Sequence, residues 1–288
     1  MSKNSTFIFV HVPKTGGTTF HHSYVPAAFS ESERFVVSGT WPRNADDITQ
    51  LIGLAPEEKR RLKLIAGHNT FGLGDHFENA KYMALFRNPY QQVLSFYLHS
   101  LHHEPEMEIS KYMRSNGITL KQYVEQNLPA KFYRIQLTVW NAHFNAVKGN
   151  RRPQDLQTIE DYAGILDQIE VLGLTEKFDF FLFLIHVRFG FPLVLYNSRL
   201  IRPERASYKL SDREIAVIKH YNQIDLKLYE LATQRFSEEV KAIWSDEIEN
   251  SWMAYKMALA EYRQQTGGDV TIARKIASAF RYSIERRA

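Results

Sequence analysis

The sequence contains no cysteine. That excludes a disulfide framework, a thiolate zinc site and a thiol nucleophile, and it fits a reducing compartment. Long apolar runs are missing too. The longest, Phe178 to Val187, falls short of the ~20 residues a spanning helix needs. Met1 to Thr6 lead straight into a short apolar segment, with no extended hydrophobic region and no small-residue cleavage site. The expectation is a soluble, cytoplasmic chain with no transmembrane segment. Charge of one sign is scarce: 36 Lys and Arg face 32 Asp and Glu, a formal net charge of +4. No long basic run is present, so nucleic acid is not an expected partner. A mild positive excess suits a protein that holds a small anion. There is no internal repeat and no low-complexity tract.

What the chain does have is core-forming material. Of its 288 residues 44% are hydrophobic, with 19 Phe and 15 Tyr, enough for one sizeable core and for one or two domains. Short apolar, β-prone runs bounded by Gly, Pro or Asn predict strands at Phe7 to Val12, Arg34 to Ser38, Leu62 to Ala66, Tyr82 to Phe86 and Glu170 to Leu174. Between them lie helical segments: Thr18 to about Tyr24, Asp46 to Leu54, and Pro56 to Arg61. Another starts at Pro89, with Asn88 as N-cap and Val93, Leu94, Tyr97, Leu98 and Leu101 on one face. Phe178 to Phe189 reads as a buried helix stopped by Gly190 and Pro192. Ser211-Asp212-Arg213-Glu214 has capping-box spacing. A last amphipathic segment is expected from Thr271 to Arg287; its Arg274, Lys275, Arg281, Arg286 and Arg287 could touch a partner or pack on the same domain. Alternation of strands and helices predicts an α/β fold with a largely parallel sheet.

Two segments have the chemistry of anion grips. Pro13-Lys14-Thr15-Gly16-Gly17-Thr18-Thr19 links a predicted strand to a predicted helix. Glycines let backbone N–H groups approach an anion, the Thr hydroxyls add donors, and Lys14 adds a mobile charge. The lysine precedes the glycine pair, which is a poor match to a nucleotide-triphosphatase loop. In the second segment Arg87 ends a strand and Ser95 lies about two helical turns further on. A guanidinium there can grip a phosphate with two N–H groups. A histidine, His68, follows the third predicted strand in Ile65-Ala66-Gly67-His68-Asn69-Thr70-Phe71. A neutral imidazole suits removal of a hydroxyl proton. Asp75 and His76 compete for that role, and His11, His21, His22, His99, His102 and His103 are weaker candidates. His11, just before the loop, is expected to be structural.

The string His11-Val12-Pro13-Lys14-Thr15-Gly16-Gly17-Thr18-Thr19-Phe20 resembles the 5′-phosphosulfate loop of the sulfotransferases that use 3′-phosphoadenosine-5′-phosphosulfate (PAPS). It is most similar to the branch containing the uronyl 2-O carbohydrate enzymes and many bacterial relatives. Phe86-Arg87-Asn88-Pro89 through Ser95 resembles that family's 3′-phosphate motif, and Gly67-His68-Asn69-Thr70-Phe71 resembles its Gly-His-x-x-Phe string. The resemblance runs roughly from Phe7 to Phe236.

The resemblance implies a P-loop NTPase-like three-layer fold: a central, mainly parallel sheet flanked by helices, plus a helical C-terminal extension. It implies a PAPS-binding domain over residues 1–245 and an extension over 246–288 packed on the same domain. It implies PAPS as donor, 3′-phosphoadenosine-5′-phosphate (PAP) as product, and no metal. It casts Lys14 as leaving-group stabiliser, Thr15, Gly16, Gly17, Thr18 and Thr19 as the cradle, Arg87 and Ser95 on the 3′-phosphate, and His68 as base. Ser207 and Lys209 sit where relatives place a loop that closes over the nucleotide, and Arg134 and Gln136 where relatives approach nucleotide or acceptor. The acceptor is expected to be a hydroxyl-bearing glycan or small molecule. The membrane-anchored relatives carry a spanning helix that this chain lacks, which leaves the acceptor open; a homodimer also stays open. A P-loop kinase, or a protein that binds PAP or PAPS without catalysis, are the alternative readings.

Overall fold

The computed structural model of the protein describes residues 5–39, 43–102, 105–133, 138–149, 151–197 and 207–266. Five strands, β1 (Phe7–Val10), β2 (Arg34–Val37), β3 (Leu64–Gly67), β4 (Lys81–Phe86) and β5 (Ile169–Leu174), form one sheet in the order β2-β3-β1-β4-β5. Every pairing is parallel. Parallel strands are covered on both faces, so they read as largely apolar runs; β1, Phe-Ile-Phe-Val, is buried throughout. The chain passes from β1 outward to β2, returns to β3, then crosses to β4 and β5. The carboxyl ends of β1, β3 and β4 therefore border the reversal in strand order, where open α/β sheets place their ligands.

The helices follow in chain order. α1 covers residues 17–28, opening as Gly17–Thr19, continuing as a π-turn over Phe20–Tyr24 and finishing as Val25–Ala28. α2 is Ala45–Gly53 and α3 is Pro56–Arg61. α4 is Pro89–His102, and after it come α5 (Glu108–Ser115), α6 (Leu120–Glu125), α7 (Leu128–Tyr133), α8 (Ala142–Val147) and α9 (Ile159–Leu166). α10 is Phe178–Phe189, α11 Asp212–Tyr221, α12 Gln223–Ile243 and α13 Asp246–Thr266.

The period-2 alternation of the strands sorts the core. Ile8 packs with Ile65, Val37 and Leu51 of α2 on one face. Phe7 and Phe9 belong to the larger cluster that includes Phe20 and Tyr24 of α1 and Phe181 of α10. Phe9 and Phe20 stack at 4.0 Å, which fixes α1 on the strand that launches it. A third cluster joins Leu94 of α4, Met113 of α5, Tyr123 of α6 and Ile218 of α11 in a helical layer of its own. The result is α/β architecture, a parallel sheet flanked by helices, with a helical C-terminal part. α13 sinks Tyr255, Leu259 and Tyr262 into the main core. Its Arg263 forks onto Asp179 of α10 at 3.0 and 2.8 Å, so this helix shares the core of the sheet.

The termini of these elements follow local chemistry. Asn88 Oδ1 accepts the N–H groups of Tyr90 and Gln91 at the start of α4. Ser211 and Glu214 close the expected capping box on α11. Gly190, at φ 65°, ends α10 in the left-handed conformation. Several boundaries differ from the sequence reading; the third strand, for one, is Leu64–Gly67 where Leu62 to Ala66 was expected. The first strand stops at Val10, two residues early, because the Val12 N–H turns back to the Val10 carbonyl at 3.0 Å. The helix expected from Thr18 begins at Gly17 and runs to Ala28. Thr271 to Arg287, with Arg274, Lys275, Arg281, Arg286 and Arg287, lie outside the described residues, as do His103, Arg134 and Gln136.

Candidate functional site

The glycine loop leaves β1 under strain. Lys14 has φ 65° and Gly16 φ 94°, so two of three consecutive residues are left-handed; only the second is a glycine. Tertiary bonds hold that shape. Thr15, fully buried, donates its hydroxyl to the Val12 carbonyl at 2.8 Å. The Thr15 carbonyl accepts from the Thr175 hydroxyl at 2.8 Å. Gln92 of α4 donates to the Pro13 carbonyl at 2.8 Å. Among the described residues no acceptor takes the main-chain N–H of Gly16 or Gly17. These groups open α1, where helix-end donors are free for an anion.

Arg87 brings the second motif onto the first. Its Nη1 donates to the Lys14 carbonyl at 2.6 Å. The residue is only 5% exposed, and its buried Nε has no hydrogen-bond partner. An unpaired buried guanidinium N–H is costly, about 1–3 kcal/mol, and calls for an acceptor. Ser95 lies one turn beyond Gln92 on α4, so the two share a face. Since Gln92 reaches the loop, that face is the loop side of the helix, and the Ser95 hydroxyl bonds to none of the described residues. Thr18 is half-buried in the first turn of α1, and Thr19 is buried beside it.

His68 sits at the end of β3, next to the loop. Thr70 ties this corner to β1 by donating to the Phe9 carbonyl at 3.1 Å. Asn44, before α2, caps nothing; its amide donates to the His68 carbonyl at 3.1 Å and to Asn69 Oδ1 at 3.2 Å. The His68 Nδ1 lies 2.8 Å from the His11 carbonyl. A carbonyl only accepts, so Nδ1 carries the hydrogen and Nε2 is left with its lone pair. The His68 ring stacks on His11 at 3.9 Å, and His11 lies 4.8 Å from His21. Burial pushes His68 down to about 4, against the raising effect of its bond to the His11 carbonyl. Burial first, then its histidine neighbours, push His21 to about 3 and hold His11 well below the ordinary value. All three rings are therefore neutral at pH 7. His11 is not a passive neighbour: a Cβ on Gly17 would lie 1.8 Å from its Nε2, so the ring occupies the space a side chain at 17 would need.

A cleft of about 350 Å³ opens on the flank of His68. One wall is His11, Pro13, His68, Asn69 and Phe71; the other is Thr138 with Ala142, Asn145 and Lys148 from α8 and its end. The cleft meets the loop at His11 and Pro13 and stops short of the glycine pair, Arg87 and Ser95. Its size is that of small-molecule sites, and it exposes amides, a hydroxyl and one lysine.

The remaining sequence candidates lie apart. Ser207 and Lys209 are exposed. Between them Tyr208 packs on Tyr97, on the far side of α4 from Ser95. Asp75 and His76 lie in a 3-10 turn, Leu73–His76, beyond the corner at Thr70.

Two residues went unnoticed in the sequence. His143 on α8 accepts the Arg87 main-chain N–H on Nε2 at 2.9 Å. Asp225 on α12 holds the other side of that ring at 2.8 Å. They are far apart in the chain. The one available signal was Asp225 itself, a charge on the stripe that continues with Leu228, Ala232 and Phe236 and is buried with them. No family model matches the chain, and no curated protein matches it significantly.

Proposed function

We propose that the protein is a PAPS-dependent sulfotransferase with a P-loop NTPase-like fold, transferring a sulfuryl group to an acceptor hydroxyl, with a carbohydrate or carbohydrate-containing acceptor favoured. The observation that carries this reading is the meeting of the two anion motifs. Arg87 braces the Lys14 carbonyl while its buried Nε lacks a partner, beside a glycine loop whose N–H groups are open and an imidazole with a directed lone pair. A doubly phosphorylated nucleotide fits that donor set: the loop takes one phosphate, and Arg87 with Ser95 takes the other.

The donor supplies a sulfuryl group on a phosphate leaving oxygen. His68 does the proton chemistry. Its Nδ1–H stays on the His11 carbonyl, so Nε2 receives the acceptor proton from the side of the cleft. Its low proton affinity keeps it ready as a free base at neutrality, and a bound anion nearby stabilises the imidazolium once formed. Lys14, held in the left-handed region by Arg87, places its ammonium to stabilise charge on the leaving oxygen. Thr138, Asn69 and Asn145 line the cleft with the donors and acceptors that a polyol acceptor needs.

The test is transfer from labelled PAPS to a panel of hydroxyl acceptors, with Lys14→Ala and His68→Ala alongside. Each substitution is expected to lower transfer about 100-fold or more. Thermal shift with PAP against ATP plus magnesium separates the alternatives. Stabilisation by ATP plus magnesium alone identifies a kinase, and stabilisation by PAP without any sulfated product identifies a binding protein.

A further inference from the structure

We propose that His143 and Asp225 form a positioning pair that sets Arg87 for recognition of the nucleotide 3′-phosphate; this rests on the sulfotransferase reading above. Both side chains have zero exposure. The Asp225 carboxylate accepts three hydrogen bonds from one short stretch of chain. They come from the His143 N–H at 2.9 Å, the Phe144 N–H at 2.9 Å and His143 Nδ1 at 2.8 Å. A carboxylate cannot donate, so Nδ1 bears the hydrogen and Nε2 must accept. The group it accepts from is the Arg87 main-chain N–H.

That N–H needs a partner from outside the sheet. The ladder between β4 and β5 ends at Phe86 and Leu174, and Arg87 is the first residue beyond it. The imidazole thus acts as a rigid spacer between α12 and the point where β4 releases the arginine, and it packs on the Phe86 ring at 4.9 Å with the two planes tilted by 55°. An apolar side chain would leave both a buried N–H and a buried carboxylate short of a partner. Buried charges are poor value as glue, since well-packed apolar residues often do as well. This one ends at the residue whose guanidinium also braces Lys14. His143 is therefore a positioning residue, acting through Arg87.

Two substitutions separate this from a purely structural role. In His143→Gln the amide oxygen stands where Nε2 was and can accept from Arg87. In His143→Asn the amide nitrogen stands where Nδ1 was, which keeps the bond to Asp225 and loses the one to Arg87. Titration calorimetry reads the affinity for PAP relative to adenosine 5′-phosphate, which lacks the 3′-phosphate. The asparagine variant is expected to lose about tenfold of that preference, the size of one hydrogen bond to a charged group, and the glutamine variant to keep it. An unchanged ratio in a folded asparagine variant overturns the proposal. A wild-type protein with no preference for PAP overturns the sulfotransferase reading instead. Should the asparagine variant not fold, the wild type decides by nitrogen-15 NMR. The His143 ring and Arg87 amide signals are expected to shift together on adding PAP and to stay still on adding adenosine 5′-phosphate. A His143 ring that does not respond to PAP refutes the pair.

Discussion

Gly17→Ala should be damaging although it replaces a glycine in the first turn of a helix. In an ordinary helix that change stabilises by about 0.4–1 kcal/mol, chiefly by restricting the unfolded chain. Here the new Cβ would lie 1.8 Å from His11 Nε2, 2.1 Å from Cδ2 and 2.5 Å from Cε1. The whole ring edge is in the way, not one movable atom. The ring cannot simply swing, because His68 is stacked on it at 3.9 Å with 17° between the planes and His21 is 4.8 Å away. Overpacking of this kind costs about 1–3 kcal/mol, so a net loss of about 2 kcal/mol is expected. For a chain of this size that lowers Tm by roughly 4–8 °C. His68 moves with the displaced ring, and on the proposed chemistry a shift of that size lowers transfer about 100-fold. Urea unfolding of Gly17→Ala, His11→Ala and the double variant forms a cycle in which the second substitution relieves the first, with a coupling of about 1–3 kcal/mol. If Gly17→Ala is as stable as the parent, or if the two changes add, the packing of His11 against the loop is not what requires glycine.

Two further outcomes follow from groups outside that contact. The histidine cluster is neutral in the fold, so as pH falls from 6.5 toward 5 the unfolded chain gains protons that the folded one refuses. Stability declines over that window by about 2 kcal/mol for each histidine so held. Urea titrations at pH 7 and pH 5 should show the decline, and His21→Phe should flatten it; an equal slope in the variant would exclude His21, whose proton affinity is pushed to about 3. Arg263→Met should loosen α13 without unfolding the sheet. It removes the fork to Asp179 and the guanidinium 4.9 Å over the Tyr196 ring. Hydrogen exchange is expected to speed up in α13 and α10 alone, whereas uniform loss of protection would show that the helix is part of one cooperative unit.

The strands were legible because each is a short, mostly apolar run between turn residues, as in Leu64–Gly67 and the Tyr82-to-Phe86 part of Lys81–Phe86. α10 was legible for its apolar run from Phe180 to Ile185 and its stop at Gly190. The stretch from α5 to α9 was not. Its helices have six or eight residues, too few turns for a 3.6-residue period to stand out, and they form because they pack on one another. The same holds for the site. Lys14, Gly16, Gly17 and His68 could be named because each sits in a contiguous string at a strand end. The bond from Arg87 to the Lys14 carbonyl spans 73 residues, and that from His143 to Asp225 spans 82; no local pattern encodes such pairs. Ser207 and Lys209 were placed by resemblance alone, and the structure leaves them exposed.

The strand order has a kinetic side. β4 and β5 join edge to edge, yet α4 to α9 lie between them in the chain. That pairing closes a very long loop, and such closures come late and slowly. Until it forms, the apolar flank of β4 is an open edge able to recruit a neighbouring chain. Yield on refolding should therefore depend on concentration more steeply than the stability of the finished sheet would suggest.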